Sequence, residues 1–449
     1  MENLLAGTFT GEVIPINIKR DEILGRSCYK TIGEVPITID LAVLCIRAPI
    51  IPTIAKECGE AGVKGLLIIS AGFTEAGTEG IKRSQQILDL AQVYGMQILG
   101  PNCLGFIHPK LGINASFASQ MALPGKLAFI SQSGALCTSI LDWSVDQSIG
   151  FSYFVSTGAM LDTTFADLIE YFSEDEDTDC ILIYMESLRA AEDFMSIARK
   201  VAIKKPILIL KAGRSTAGQS AAHSHTGALA GNDKIFDLAF KRTGVLRLDT
   251  IEQLFDCAQA LAMQPYPAGH RLGIITNAGG PGVLATDYLV SNGGQLANLS
   301  NTCIEKLNVF LPQNWSKGNP VDLLGDANGE AYTKAFEVLK QEDGVDGILL
   351  ILTPQAMTNP TEVAEKITAV AEGFNKPVLA VWMGEAAVMD GREVLEQARI
   401  PNFRYPENAV LAFLQMFRYR EQQGKLKIHG EKRASNFVVD KIAAQKIIA

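Results

Sequence analysis

The sequence predicts an α/β protein made of three consecutive doubly wound domains. Three observations carry this. Short apolar runs alternate with amphipathic helical stretches along nearly the whole chain, the pattern of parallel strands joined by crossover helices. At 449 residues the chain is too long for a single core, so two to four domains are expected. Two strand-to-helix turns, Ile130-Ser131-Gln132-Ser133-Gly134 and Ile275-Thr276-Asn277-Ala278-Gly279-Gly280-Pro281-Gly282, look alike and open successive units. The expected boundaries are 1–120, 121–266 and 267–425, with a charged, weakly periodic tail over 426–449.

In the first unit the strand candidates are Glu12–Asn17, Leu41–Ile46, Gly65–Ser70 and Gln97–Leu99, with helices over Ile51–Ala61 and Gly80–Tyr94. The second unit opens at Gly125. Its strands are expected at Lys126–Ser131, Ile149–Ser156, Cys180–Met185, Ile207–Lys211 and Val245–Leu248, and a helix at Asp233–Thr243. Pro265-Tyr266-Pro267-Ala268-Gly269 reads as a linker, since proline and glycine stop both periodic patterns. Beyond it, strands are expected at Leu272–Thr276, Gly347–Leu352 and Pro377–Trp382.

Composition narrows the function. A net charge of −9 argues against general nucleic-acid binding. No apolar run approaches membrane-spanning length and no signal peptide opens the chain, so a cytoplasmic protein is expected. The eight cysteines show no CxxC pairs, and Cys45 and Cys180 lie in apolar runs. Buried reduced thiols are therefore expected, and no metal site.

The most informative segment is Ser224-His225-Thr226-Gly227, in a run of small polar residues between the strand at 207–211 and the helix at 233–243. A histidine on such a loop can swing between partners and carry a phosphoryl group; equally, the loop can be a solvated connection. Each of the two similar turns offers free N–H groups and a helix dipole to an anion, and each is also ordinary punctuation of an α/β fold. Glu186 ends the run Cys180–Met185, where open sheets gather ligands, and a carboxylate there can fix an imidazole tautomer. It can also be a first-turn acid favouring the next helix. His108, His223, His270 and His429 read as surface or loop residues, and the acidic run 174–179 as a solvated loop.

Gly100-Pro101-Asn102-Cys103-Leu104-Gly105, the Ser131–Gly134 turn, Ser156-Thr157-Gly158-Ala159, the Ser224–Gly227 loop and Thr276–Gly282 follow one another in an order that resembles the ADP-forming (or GDP-forming) acyl-CoA synthetases, relatives of succinyl-CoA synthetase. The resemblance covers nearly the whole chain and is greatest to the α-type part. It implies a Rossmann-like CoA-binding domain followed by two flavodoxin-like ligase domains. It implies a relay in which acyl-CoA and phosphate give acyl phosphate and CoA, and the phosphoryl group passes to a histidine and then to ADP. The histidine would be His225, with Glu186 as its stabilising carboxylate. Ser133, Gly134, Gly279 and Gly280 would hold the phosphate, and Lys19, Ala48, Pro49, Ile69, Ser70, Ala71, Gly72 and Asn102 would line the coenzyme A site. ATP or ADP and Mg2+ would bind on an ATP-grasp partner subunit or domain, absent from these residues, and an oligomer is expected.

Two departures from the family pattern accompany the likeness. The first strand and glycine-rich loop of the CoA domain are missing, the chain opening inside the following helix at Met1–Leu5, so the first domain is expected to be incomplete. Asp440–Ala449 reads as the start of a helix leading toward an ATP-grasp domain, which implies a fragment of a longer protein. Ala71 also replaces an acidic residue of some relatives. The alternatives are the acyl-CoA-binding regulatory module of a protein lysine acetyltransferase, in which the phosphohistidine is usually lost, or an inactive truncated remnant. A nicotinamide-dependent dehydrogenase is set aside, because no G-x-G-x-x-G follows a strand.

Overall fold

A computed structural model describes residues 1–220 and 232–430. The first unit holds a short helix α1 (Glu2–Ala6), a small hairpin of β1 (Glu22–Ile23) and β2 (Arg26–Ser27), and a parallel sheet of β3 (Leu41–Leu44), β4 (Gly65–Ile68) and β5 (Gln97–Leu99) in that spatial order. Helices α2 (Ile51–Glu60) and α3 (Gly77–Tyr94) cover one face, burying Leu66, Ile68 and Ile98 among Ala55, Ile87 and Ala91. Glu12–Asn17 does not become a strand. Only Ile16 makes an isolated bridge, to Tyr29. Cys45, expected to be buried, is exposed, because it follows the outer strand β3 where Leu41 and Val43 also face outward.

The second unit adds β6 (Gly105–His108), β7 (Ile113–Ser116), β8 (Pro124–Ser131), β9 (Phe151–Ser156), β10 (Cys180–Met185), β11 (Ile207–Lys211) and β12 (Leu246–Leu248), ordered β12-β11-β10-β8-β9-β6-β7. Helices α4 (Gly134–Asp146), α5 (Phe165–Glu174), α6 (Ala191–Val201), α7 (Asp233–Thr243) and α8 (Ile251–Met263) lie on its faces. β8 to β12 are parallel and almost wholly buried, which explains their unbroken apolar sequences. The β6–β7 hairpin is antiparallel and pairs with β9, so residues 105–116 extend the second sheet although the sequence reading leaves them within 1–120. Its alternating, polar-containing pattern hides it from a search for apolar runs. It also buries His108, 9% exposed, with its ring 4.2 Å from that of Tyr153, in place of the surface position expected. The acidic run is not simply solvated: Asp177 bridges Lys110 and Lys126, and Thr178 is buried.

The third unit has β13 (Arg271–Thr276), β14 (Gln295–Leu296), β15 (Val321–Asp322), β16 (Gly347–Leu352) and β17 (Val378–Trp382), all parallel, with β14 and β15 sharing one edge of β13. Its helices are α9 (Gly279–Ser291), α10 (Asn301–Asn308), α11 (Gly329–Lys340), α12 (Pro360–Ala371), α13 (Met389–Gln397) and α14 (Pro406–Gly430). Helix starts are set by side chains that accept from otherwise orphaned N–H groups. Ser133, Asn232, Thr250, Ser300, Asn328 and Asn359 cap α4, α7, α8, α10, α11 and α12 in this way.

The second and third units share one core, which runs from Phe129 and Leu182 through α8 and α14 to Ile274 and Leu349. Asn408 donates to Asp256 (2.6 Å), Val378 N–H to Gln264 (2.9 Å), and Gln423 to the Ile203 carbonyl (3.0 Å). Of the expected tail, residues 426–430 are the end of α14, whose Leu426 is buried in the second unit against Gly244, while 431–449, with the helix expected at Asp440–Ala449, lie outside the described residues. A charged outer face disguises that helix in the sequence.

Candidate active site

Because β8, β9, β10 and β11 are parallel neighbours, the segments that leave their carboxyl ends emerge side by side. Ser131 is in register with Ser156 and with Tyr184, and Met185 with Lys211. The turn Ser131–Gly134, the loop Ser156–Ala159 and Glu186 are thereby brought together at one sheet edge. Ligands of open α/β sheets gather at such edges.

The turn is built by its own hydroxyls. Ser131 Oγ accepts from the Ser133 N–H (3.0 Å), and Ser133 Oγ accepts from the Leu136 N–H (3.3 Å) and so caps α4. A Cβ on Gly134 would stand 3.5 Å from Leu104 N, an ordinary contact. Space alone therefore does not demand glycine there.

Gln132 is the residue the sequence reading passed over. Its Oε1 accepts from the N–H groups of Glu186 (2.5 Å) and Ser187 (2.9 Å), and its Nε2 donates to Ser187 Oγ (3.2 Å). Its place in the tetrapeptide was visible, but its function appears only once β10 lies beside β8. Glu186 itself is 9% exposed. Burial, and then the neighbouring Glu186 carboxylate, push the Tyr184 hydroxyl up to about 12. Lys211 is a second residue missed: it ends β11 in the interior, and burial holds its ammonium below the usual lysine range. His225 and the rest of its loop lie outside the described residues.

The first unit is stitched to this edge. Leu104 N–H donates to Ser156 Oγ (3.0 Å). Ala159 N–H donates to the Pro101 carbonyl (2.9 Å), and Leu161 N–H to that of Gly100 (3.0 Å). Gly158 has φ +53°, and a Cβ there would come within 2.3 Å of the Pro101 and Asn102 carbonyl oxygens. Cys103, inside the segment, is buried, and burial pushes its thiol up to about 12, so it is no nucleophile.

At the carboxyl ends of β3, β4 and β5 the residues expected to meet coenzyme A also converge. Ser70 Oγ donates to the Ile46 carbonyl (2.5 Å) and Asn102 N–H to the Ser70 carbonyl (3.0 Å). Gly72, at φ +107°, would clash with the Ala48 Cβ at 2.9 Å if it carried a side chain, and Arg83 donates to its carbonyl. Pro49, Ala71 and Asn102 are exposed, while Ile69 and Ser70 are half-buried. Small residues along a sheet edge with a guanidinium beside them fit a long ligand with apolar and phosphate parts. Lys19 stands on a separate exposed turn whose backbone N–H groups bond Asn17.

Gly279 and Gly280 begin α9 on the other sheet, exposed, at the end of β13. The Asp322 carboxylate borders them, 3.2 Å from where a Gly279 Cβ would stand. That N-terminus therefore already faces a negative charge.

Comparison with known proteins matches this layout. Residues 1–109 match a CoA binding domain, 124–261 a succinyl-CoA ligase like flavodoxin domain, and 272–428 a ligase-CoA domain. The α subunit of acetate–CoA ligase (ADP-forming) II of Pyrococcus furiosus is 42% identical over 407 residues, covering 90% of this chain and 88% of that one. Acetate–CoA ligase (ADP-forming) I of Archaeoglobus fulgidus is 39% identical along the whole chain, which spans 64% of its length. A solved structure of an acetyl-coenzyme A synthetase of Candidatus Korarchaeum cryptofilum, with phosphate and ADP, superposes at a TM-score of 0.90 with 34% identity, over 96% of this chain and 94% of that one. Identity at this level over nearly the whole of an α subunit makes the chain a member of the ADP-forming acyl-CoA synthetase family, in its α-subunit part.

Proposed function

We propose that this chain is the α-type part of an ADP-forming acyl-CoA synthetase, working with an ATP-grasp partner that holds ADP and Mg2+. The carrying observation is the union of the Gly100–Gly105 segment, the Ser131–Gly134 turn, the Ser156–Ala159 loop and Glu186 at one sheet edge. A CoA thioester laid over the first sheet's carboxyl edge would reach this place through Asn102. Coenzyme A would supply the thiol that carries the acyl group. Ala48, Pro49, Ile69, Ser70, Ala71 and Gly72 would line its arm, and Lys19 would meet its phosphates.

The Gly134 N–H at the start of α4, with the Ser133 hydroxyl beside it, would hold inorganic phosphate with the help of the helix dipole. Phosphate attacks the thioester carbonyl, the C–S bond breaks, and acyl phosphate and the free thiol form. A nitrogen of His225 then takes the phosphoryl group, and the carboxylate leaves. Glu186 would bind the opposite ring nitrogen and so keep the attacking one unprotonated. Gly279 and Gly280, bordered by Asp322, are assigned the lesser share of phosphate binding.

The test is incubation of the chain with acetyl-CoA, chosen because the relatives are named for acetate, and radioactive phosphate. Wild type should release thiol and carry acid-labile, base-stable label. His225→Ala should release thiol and carry none. Glu186→Gln should label at least tenfold more slowly with an unchanged melting temperature. Label that survives in His225→Ala would refute the relay through that residue.

A further inference from the structure

One side chain joins the turn that starts α4 to the segment that carries Glu186. β8 and β10 run in parallel register as far as Ser131 and Tyr184, and the Gln132 N–H continues that ladder by one bond, to the Tyr184 carbonyl (3.3 Å). Ser133 then caps α4, and the chain leaves the sheet. Beyond this point the Gln132 side chain stands in for the main chain. Its Oε1 accepts from the N–H groups of Glu186 (2.5 Å) and Ser187 (2.9 Å), and its Nε2 donates to Ser187 Oγ (3.2 Å). A side-chain amide carries the same donor and acceptor types as a peptide, so it can lengthen a ladder that the strand has left.

The turn itself does not need that amide. Ser131 Oγ accepts from the Ser133 N–H (3.0 Å) and donates to the Ser133 carbonyl (3.0 Å), which closes the turn on itself. What the Gln132 amide adds is a hold on Glu186, a buried residue, from an anchor two residues before Gly134. The N–H assigned to phosphate and the carboxylate assigned to the phosphohistidine are thus tied through a single side chain. In a preorganised site a displacement of about 1 Å can cost about 10²-fold in rate.

We propose that Gln132 is a positioning residue for phosphoryl transfer, its amide fixing the Glu186 main chain against the turn that ends at Gly134. This rests on the function proposed above, in which Glu186 is the stabilising carboxylate. Gln132 touches neither substrate nor phosphoryl group in this assignment and acts through Glu186 alone.

The experiment is labelling of the full chain by radioactive acetyl phosphate, which bypasses the coenzyme A site. The phosphorus–oxygen bond to acetate breaks, acetate leaves with the electron pair, and a nitrogen of His225 forms the new bond. Wild type, His225→Ala, Glu186→Gln, Gln132→Met and the double variant Gln132→Met/Glu186→Gln are compared. Label absent from wild type, or equal in His225→Ala, would sink the phosphohistidine reading and this proposal with it. A wild-type rate in Glu186→Gln would remove the carboxylate from that reading and leave Gln132 nothing to act through. Otherwise the cycle isolates Gln132. Gln132→Met keeps the length of the side chain without its acceptor, and should label at least tenfold more slowly at saturating acetyl phosphate with an unchanged KM. In the Glu186→Gln background the same substitution should cost less than twofold, because the group it acts through is already gone. A full tenfold loss on top of Glu186→Gln, or a wild-type rate for Gln132→Met, would overturn the proposal.

Gln132→Glu separates positioning from fold maintenance. It keeps the reach and the acceptor, with the Ser187 hydroxyl donating in return, but places negative charge beside the phosphate turn. Its maximal labelling rate should stay within about threefold of wild type, while its KM for acetyl phosphate rises at least fivefold. A glutamine that merely closed the segment after β10 would show in the melting temperature and leave the rate of the folded chain unchanged. A maximal rate tenfold below wild type in Gln132→Glu would overturn the proposal, even where Gln132→Met failed to fold.

Discussion

Asp256 makes the joint between the second and third domains sensitive to pH. It lies on α8, facing α14, where Asn408 Nδ2 donates to its carboxylate at 2.6 Å. Burial lifts its carboxyl from the ordinary 3.8 to about 7, against the pull of the Asn408 bond and with a smaller push from Glu252. The folded state thus keeps a proton that the unfolded chain gives up near pH ~4. Stability should fall as pH rises through the window from about 4 to about 7, and be level above it. A difference of roughly 3 pH units at about 1.4 kcal/mol each sets a ceiling near ~4 kcal/mol. Asp256 keeps part of its surface in water, which screens the charge, so about 1–2 kcal/mol is expected. Asp256→Asn removes the titration and keeps an acceptor for Asn408. Urea unfolding would be followed by tryptophan fluorescence, since Trp143 packs on Phe255 beside this joint (ring centres 5.1 Å apart). The variant should match wild type near pH ~4 and exceed it by about 1–2 kcal/mol near pH ~8.5. An identical pH response in the two proteins would refute the reasoning.

Two further outcomes follow from the same kind of argument. His108 is buried on Tyr153 and its Nδ1 has no hydrogen-bond partner among the described residues, and burial lowers its value below the unfolded one despite Asp175 and Asp177. Its folded form resists protonation, so wild type should lose stability as pH falls below ~6.5 and His108→Leu should lose less, by up to about 1 kcal/mol; equal acid losses in paired melts would contradict this. Gly158→Ala should cost about 1–3 kcal/mol for its left-handed backbone and more for the clash with the Pro101 and Asn102 carbonyls, and should lower kcat/KM for acyl transfer at least tenfold. Gly62→Ala, also at positive φ (+80°) but with nothing within 4 Å, is the control: if it lowers kcat/KM as much, the clash is not the cause.

The parallel strands were legible because a strand buried on both faces must be apolar throughout, and Cys180–Met185 and Ile207–Lys211 form over the residues expected. The β6–β7 hairpin was not, since its residues alternate and its partner β9 lies far along the chain. Helix α14 was missed for a related reason. Its inner face is apolar, but it buries that face against two different domains, so Leu426 belongs to a core whose other members come from a unit more than a hundred residues earlier. Local periodicity reports which side of an element is dry; it does not report what that side touches.

The candidate site shows the same division at the scale of single residues. Glu186 and the Ser131–Gly134 turn could be singled out because they stand at the ends of apolar runs. Gln132 and Lys211 could not, because each acts through a main-chain group of a strand next to its own. Their effect depends on strand order, β11-β10-β8, which no local pattern encodes. That order also explains why the Gly100–Gly105 segment has to be held so closely. Its carbonyls fill the space over Gly158, and its Leu104 N–H uses the Ser156 hydroxyl, so the edge of the first sheet cannot move away from the second without breaking both contacts. The proposed function, with a thioester presented by one sheet and a phosphate bound by the other, would need that fixed approach. An acyl phosphate formed in a gap that opened to water would be lost to hydrolysis before a histidine could accept its phosphoryl group.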